Sequence, residues 1–99
     1  MTRRAPIHPG EILKTEFLDE LGLSPYALAK ALRVPPNRIT GIINGQRAIT
    51  ADTALRLARF FGTTPEFWLN LQTHYALTVT ARSEARQINR DVPRYAASV

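Results

Sequence analysis

Asn37, Arg38, Thr40 and Asn44 fall within one eight-residue stretch, and they carry the donors, acceptors and methyl group that read the edges of DNA bases. Asn bonds adenine bidentately, Arg takes guanine O6 and N7 or a phosphate, and the Thr methyl meets the thymine methyl. Gly41 belongs to the same outward-facing set and Pro36 stands at its start. Arg47, in the loop that follows, suits a phosphate clamp better than a base reader. Upstream, Ser24 and Tyr26 sit at a helix start whose free N–H groups can meet a phosphate. Half-buried packing is the other reading of Tyr26. Taken singly, Asn37 reads equally well as a helix-terminal residue bonding locally and Arg38 as a solvated charge; their clustering favours DNA.

Charge points the same way. Thirteen Lys and Arg against eight Asp and Glu give a formal +5, which favours polyanions and acidic surfaces as partners. No acid lies between Glu20 and Asp52, where Lys30, Arg33, Arg38 and Arg47 are found, so this window is the natural phosphate-facing surface. Catalysis finds little support. His8 and His74 lie far apart, and the chain has no cysteine, no HExxH, no P-loop and no glycine-rich dinucleotide turn. Neither a disulfide nor a thiolate metal site can form, and no cofactor is expected. The start of the chain lacks the apolar core of a signal peptide, and no apolar run reaches the ~20 residues of a membrane span. A soluble cytoplasmic protein, with no membrane partner, is the expectation.

The frame for these side chains is all-α: a single compact helical domain of five to six helices with a central helix-turn-helix. His8-Pro9-Gly10-Glu11 starts the first helix, with Ile12, Leu13, Phe17 and Leu21 as its apolar stripe and Gly22 as its left-handed stop. Ser24 caps the second ahead of Pro25, and that helix ends near Leu32. Val34-Pro35-Pro36 starts the third and Asn44-Gly45 stops it, so two short helices are joined at helix-turn-helix spacing. Leu28, Leu32, Val34, Ile39 and Ile42 must then face inward, with the small Ala29 where the two axes meet. Thr50 caps a fourth helix with Leu55, Leu57, Ala58 and Phe61 inward, ended by Gly62. Thr64-Pro65-Glu66 starts a fifth with Phe67, Trp68, Leu71 and Tyr75 on one face. Leu77-Thr78-Val79-Thr80 is β-branched enough to suggest a strand, but Leu77, Ala81, Ala85 and Ile88 suit a sixth helix, which is preferred. The domain covers 8–92, with 1–7 a flexible arm and 93–99 a tail. Arg82, Arg86, Arg90 and Arg94 recur every fourth residue, as a solvated face or as a stripe for an acidic partner or phosphate.

With those residues in hand, the chain resembles the HigA-type antitoxins, VapI-like members of the XRE helix-turn-helix family with a lambda-repressor-like fold. His8-Pro9-Gly10-Glu11-Ile12-Leu13, Leu23-Ser24 to Ala29-Lys30, and Val34-Pro35-Pro36-Asn37-Arg38-Ile39 carry the resemblance. So do Ile49-Thr50 through Leu57-Ala58 and Pro65-Glu66-Phe67-Trp68-Leu69-Asn70-Leu71-Gln72. The resemblance implies a homodimeric antitoxin that neutralises a HigB-like RNA-cleaving toxin of the RelE type and represses its own operon. Its partners would be the toxin and double-stranded operator DNA with inverted-repeat half-sites about one turn, ~34 Å, apart. Phe67, Trp68, Leu71 and Tyr75 are the candidate dimer or toxin contacts. A repressor without a toxin partner, and a toxin-neutralising module with weak DNA binding, are the alternatives. Two places depart from the family pattern. Arg33 occupies the turn where Gly is commonest, at about 1 kcal/mol if that turn is left-handed, and Pro35-Pro36 replace side-chain donors.

Overall fold

The computed structural model describes residues 5–96, and its helices begin and end at the caps, prolines and glycines. Helix α1 runs without a break through Pro9–Ile12, π-helical Leu13–Leu18 and Asp19–Leu21. It is followed by α2 (Pro25–Leu32), α3 (Pro36–Ile43), α4 (Ala51–Phe61) and α5 (Pro65–Asp91). No strand occurs among the described residues, and no helix there is long and apolar enough to cross a membrane. Parts of the expected arm and tail, 1–4 and 97–99, lie outside the described residues.

Every start but that of α3 satisfies an orphan backbone donor with a side chain. Ser24, Thr50 and Thr64 accept hydrogen bonds from the N–H groups of Ala27 (3.1 Å), Thr53 (3.4 Å) and Phe67 (3.1 Å). Pro9, Pro25, Pro36 and Pro65 occupy first-turn positions, where a missing N–H costs nothing. The stops are equally plain. Gly22 and Gly62 take left-handed conformations, and α2 ends on Arg33 at φ 62° and ψ 43°. There the Arg33 N–H donates to the Lys30 carbonyl (3.2 Å) and the Val34 N–H to the Ala29 carbonyl (3.0 Å). These two bonds form a Schellman motif, which supports the strained residue between its partners.

The core lies where the helix-turn-helix reading requires it. Leu28, Ala29, Leu32, Val34, Ile39 and Ile42 are all buried, joined by Leu13, Leu18, Ile49, Ala54, Leu57 and Trp68. Close backbone approach shapes one seam. A Cβ on Gly10 would fall onto the Ile42 carbonyl oxygen, with Ile43 Cα 2.9 Å away, so only glycine lets α1 pass the end of α3.

Three expectations need correction. Leu21 is 62% exposed and Leu18 is buried in its stead. At 3.6 residues per turn Leu18 would lie about 140° from Leu13; the π-helical segment takes more residues per turn and brings Leu18 round to the core face, while Leu21 is the last residue of the helix. On α4, Leu55 is 60% exposed, and the inward face consists of Thr53, Ala54, Leu57 and Ala58. Two residues along an α-helix are ~200° around it, so Leu55 and Leu57 cannot share a face. The sixth helix does not exist separately, because α5 continues unbroken through Leu77–Thr80 to Asp91.

Candidate nucleic-acid interface

The second helix of the pair, α3, presents one side to the core and the other outward. Ile39 and Ile42 are buried, whereas Pro36, Asn37 and Asn44 are exposed and Thr40 is half-buried. Ser24 and Tyr26 lie at the start of α2, both exposed; at 66% exposure Tyr26 is a surface residue, and the packing alternative falls away. The Ser24 oxygen already accepts the Ala27 N–H, which leaves its hydroxyl proton available to a phosphate.

Gly41 differs from its expected place. It is buried, and a Cβ there would meet the Arg47 side chain at 2.8 Å. The loop explains this. The Gln46 and Arg47 N–H groups both donate to the Gly41 carbonyl (2.8 and 3.0 Å), which folds the chain back over the helix end and lays the Arg47 stem across the bare glycine. Gly41 is thus the seat of Arg47 and not an outward-facing position. Arg38 and Arg47 line one shallow hollow with Ala48, Thr50 and Thr53.

Arg38 is also paired. Its Nη1 donates to Asp52 Oδ2 at 2.6 Å, and the same oxygen accepts Arg56 Nε at 2.9 Å. Arg56 Nη1 in turn donates to the carbonyl of Leu32 (2.9 Å), the last residue of α2. The two guanidiniums, Arg56 first and then Arg38, hold the Asp52 carboxyl below the usual carboxylate range. On the other flank, His8 Nδ1 accepts the Gly10 N–H (2.9 Å), its ring packs edge-on to Tyr75 at 4.8 Å, and it hydrogen-bonds the Arg47 backbone. Burial pushes the His8 pKa below its ordinary value despite that last bond, so the neutral ring able to accept from Gly10 is the favoured form.

A helix-turn-helix family profile matches residues 15–68, the span that contains α2, α3 and α4. Virulence-associated protein I of Dichelobacter nodosus is 55% identical over 87 residues, covering 88% of this chain and 80% of that protein. Antitoxin HigA-1 of Vibrio cholerae is 48% identical over 71 residues, covering 72% and 67%. The chain belongs to the HigA-type antitoxins of the helix-turn-helix family. A solved structure of the Pseudomonas aeruginosa antitoxin HigA with the higBA promoter superposes with a TM-score of 0.87 at 46% identity, over 91% of this chain and 98% of that one. This is a class of DNA-binding regulators and not of enzymes.

Within this HigA-type chain the aromatic face of α5 is largely spoken for. Trp68, expected among the dimer or toxin contacts, is fully buried: its ring packs on Phe17 (4.9 Å between centroids) and Phe67 (5.0 Å), and its Nε1–H donates to Thr63 Oγ1 at 2.8 Å. A ring sealed in the core of one chain has no surface to offer a partner. Leu71 and Tyr75 are half-buried, Leu71 against the core and Tyr75 against His8, and Phe67 is the most open of the four at 39% exposure. Sequence reading missed Asp52 and Arg56 as members of the site. Their i,i+4 spacing was legible as an ion pair on a helix, but the link to Arg38, fourteen residues away, exists only in the fold.

Proposed function

We propose that this chain is an antitoxin that binds its own operator as a homodimer, represses the shared operon, and neutralises a HigB-like RNA-cleaving toxin in the cytoplasm. The observation that carries the DNA part is the outward side of α3, where Asn37, Arg38 and Thr40 stand together on a helix whose other side is locked into the core. In this reading those three side chains read bases, while Ser24, Tyr26 and Arg47 fix position on the backbone. The likeness to a HigA antitoxin solved with promoter DNA supports it.

Homodimerisation is assigned to α5. Its far half projects from the body and leaves Leu77 and Ile88 exposed. They are eleven residues apart, about 20° off one another around the helix, so they share a face that a second copy can cover. Two recognition helices related by such a dimer would enter successive major grooves of an inverted repeat, about 34 Å apart.

The test is a salt titration of binding to a duplex carrying the upstream region of this gene, with a scrambled duplex as control and Arg38→Ala alongside. Preference for the native duplex by about 10³-fold or more, lost in the variant, is expected. Equal and weak binding to both duplexes would overturn the repressor reading and leave toxin neutralisation as the function.

A further inference from the structure

We infer that Asp52 is a specificity-determining residue of the DNA surface, a carboxylate that restrains Arg38 so that it answers to base edges in preference to phosphates. The inference rests on the DNA-binding reading above and concerns how that surface discriminates.

Asp52 is the first acid after Glu20 in a window otherwise basic or neutral. Its side chain is 55% exposed, on the first turn of α4 and beside the recognition helix. A carboxylate so placed repels a phosphate backbone, so it does not serve affinity. What it does is visible in its partners. One oxygen, Oδ2, takes both Arg38 Nη1 and Arg56 Nε, and Arg56 is itself tied to the Leu32 carbonyl. The chain Arg38–Asp52–Arg56–Leu32 therefore fastens the reading arginine to α4 and to the end of α2.

An unrestrained arginine is a long flexible cation that settles on the nearest phosphate whatever the sequence. Held by Asp52, the guanidinium keeps the rest of its five N–H donors for a partner presented in one geometry. Its charge is also partly compensated, which weakens its pull toward phosphates in general. Asp52 favours the N-terminal end of the α4 dipole as well, but that is a matter of stability and does not distinguish one duplex from another.

The experiment compares wild type, Asp52→Asn, Arg38→Ala and the double variant on the native and scrambled duplexes across a salt series, with thermal melts to confirm folding. Asp52→Asn is expected to tighten binding to the scrambled duplex about two- to fivefold. Its salt slope should steepen by about 0.9, one more phosphate neutralised, while preference for the native duplex shrinks. In the Arg38→Ala background the same change should tighten scrambled binding clearly less, leaving only the loss of the carboxylate's own repulsion, and the salt slope should not gain the extra phosphate. An equal shift in both backgrounds would make Asp52 a plain surface acid and overturn the inference. So would an unchanged or weaker affinity of Asp52→Asn for the scrambled duplex. Failure of wild type to bind either duplex at low salt would instead remove the DNA-binding reading itself, and the inference with it.

Discussion

The helix-turn-helix body and the far half of α5 are both helical, yet different forces hold them. In the body every helix buries a face, and Leu28, Ile39, Ile42, Leu57 and Trp68 have no solvent contact. Beyond Tyr75, α5 has no buried residue, and only Thr78 and Ala85 are even half-buried. At 27 residues α5 is about 40 Å long, which accounts for much of the molecule's 57 Å longest extent. An isolated helical stretch of that kind is marginal in water, more so with Thr78, Val79 and Thr80 in it. The body is built to stand alone and to hold side chains still. The extension leaves Leu77, Val79 and Ile88 open to solvent in the single chain.

The sharpest way to break the contrast is at the joint. Trp68 anchors α5 to the body through Phe17, Phe61 and the Thr63 hydroxyl. Trp68→Ala should destabilise the protein by about 3–5 kcal/mol in a denaturant titration. Loss of helical signal from the extension in the same transition is expected; a separate transition would show that the far half folds on its own.

Gly10→Ala tests the body's tightest seam. Its Cβ has nowhere to go but into the Ile42 backbone, so the end of α3 must shift, at about 1–3 kcal/mol. Because Arg47 sits on Gly41 one residue earlier, the shift should also weaken native-duplex binding beyond what the stability loss explains. An equally stable variant would mean that the α1–α3 approach is looser than the distances indicate.

Arg33→Gly should act in the opposite direction. Left-handed backbone is strained for any side chain with a Cβ, and removing it should raise stability by about 1 kcal/mol, read as a shift in denaturant midpoint at constant slope. No gain would mean that the Schellman bonds around Arg33 already absorb the strain.

How much of this was legible beforehand follows from where each signal resides. Helix ends were written locally: Ser24, Thr50 and Thr64 cap, Gly22 and Gly62 stop, and even the left-handed Arg33 was readable from its place in the turn. The inward set of the helix-turn-helix was readable because period and spacing agree there. Leu18 escaped because nothing in its neighbours announces a π-helical segment. Gly41 escaped because its burial is caused by a loop residue six positions on, and Trp68 because a stripe of aromatics looks the same whether a partner or the chain's own Phe17 covers it. The Arg38–Asp52 pair escaped for the same reason: it joins two helices whose docking no local pattern encodes.

The smallest effect on stability is expected in the extension, and it bears most directly on what covers it. Ile88 is 45% exposed on the face it shares with Leu77. Arg82, Arg86 and Arg90, at about 100° per residue, fall on the opposite side, and Arg94 lies past the helix end at Asp91. The two faces therefore differ in chemistry, apolar at Leu77 and Ile88 and basic on the other side, where Arg90 pairs with Asp91 (3.7 Å). Ile88→Ser should change unfolding of the body by no more than about 0.5 kcal/mol, because it is 45% exposed and lies about five turns along α5 from Trp68. If a second copy covers that face, the same substitution should lower the dimer fraction in sedimentation at dilute protein, and native-duplex affinity should fall with it, since half-sites gain from being read by linked helices. An unchanged dimer would move the homodimer contact away from the Leu77–Ile88 face and leave that face for the toxin.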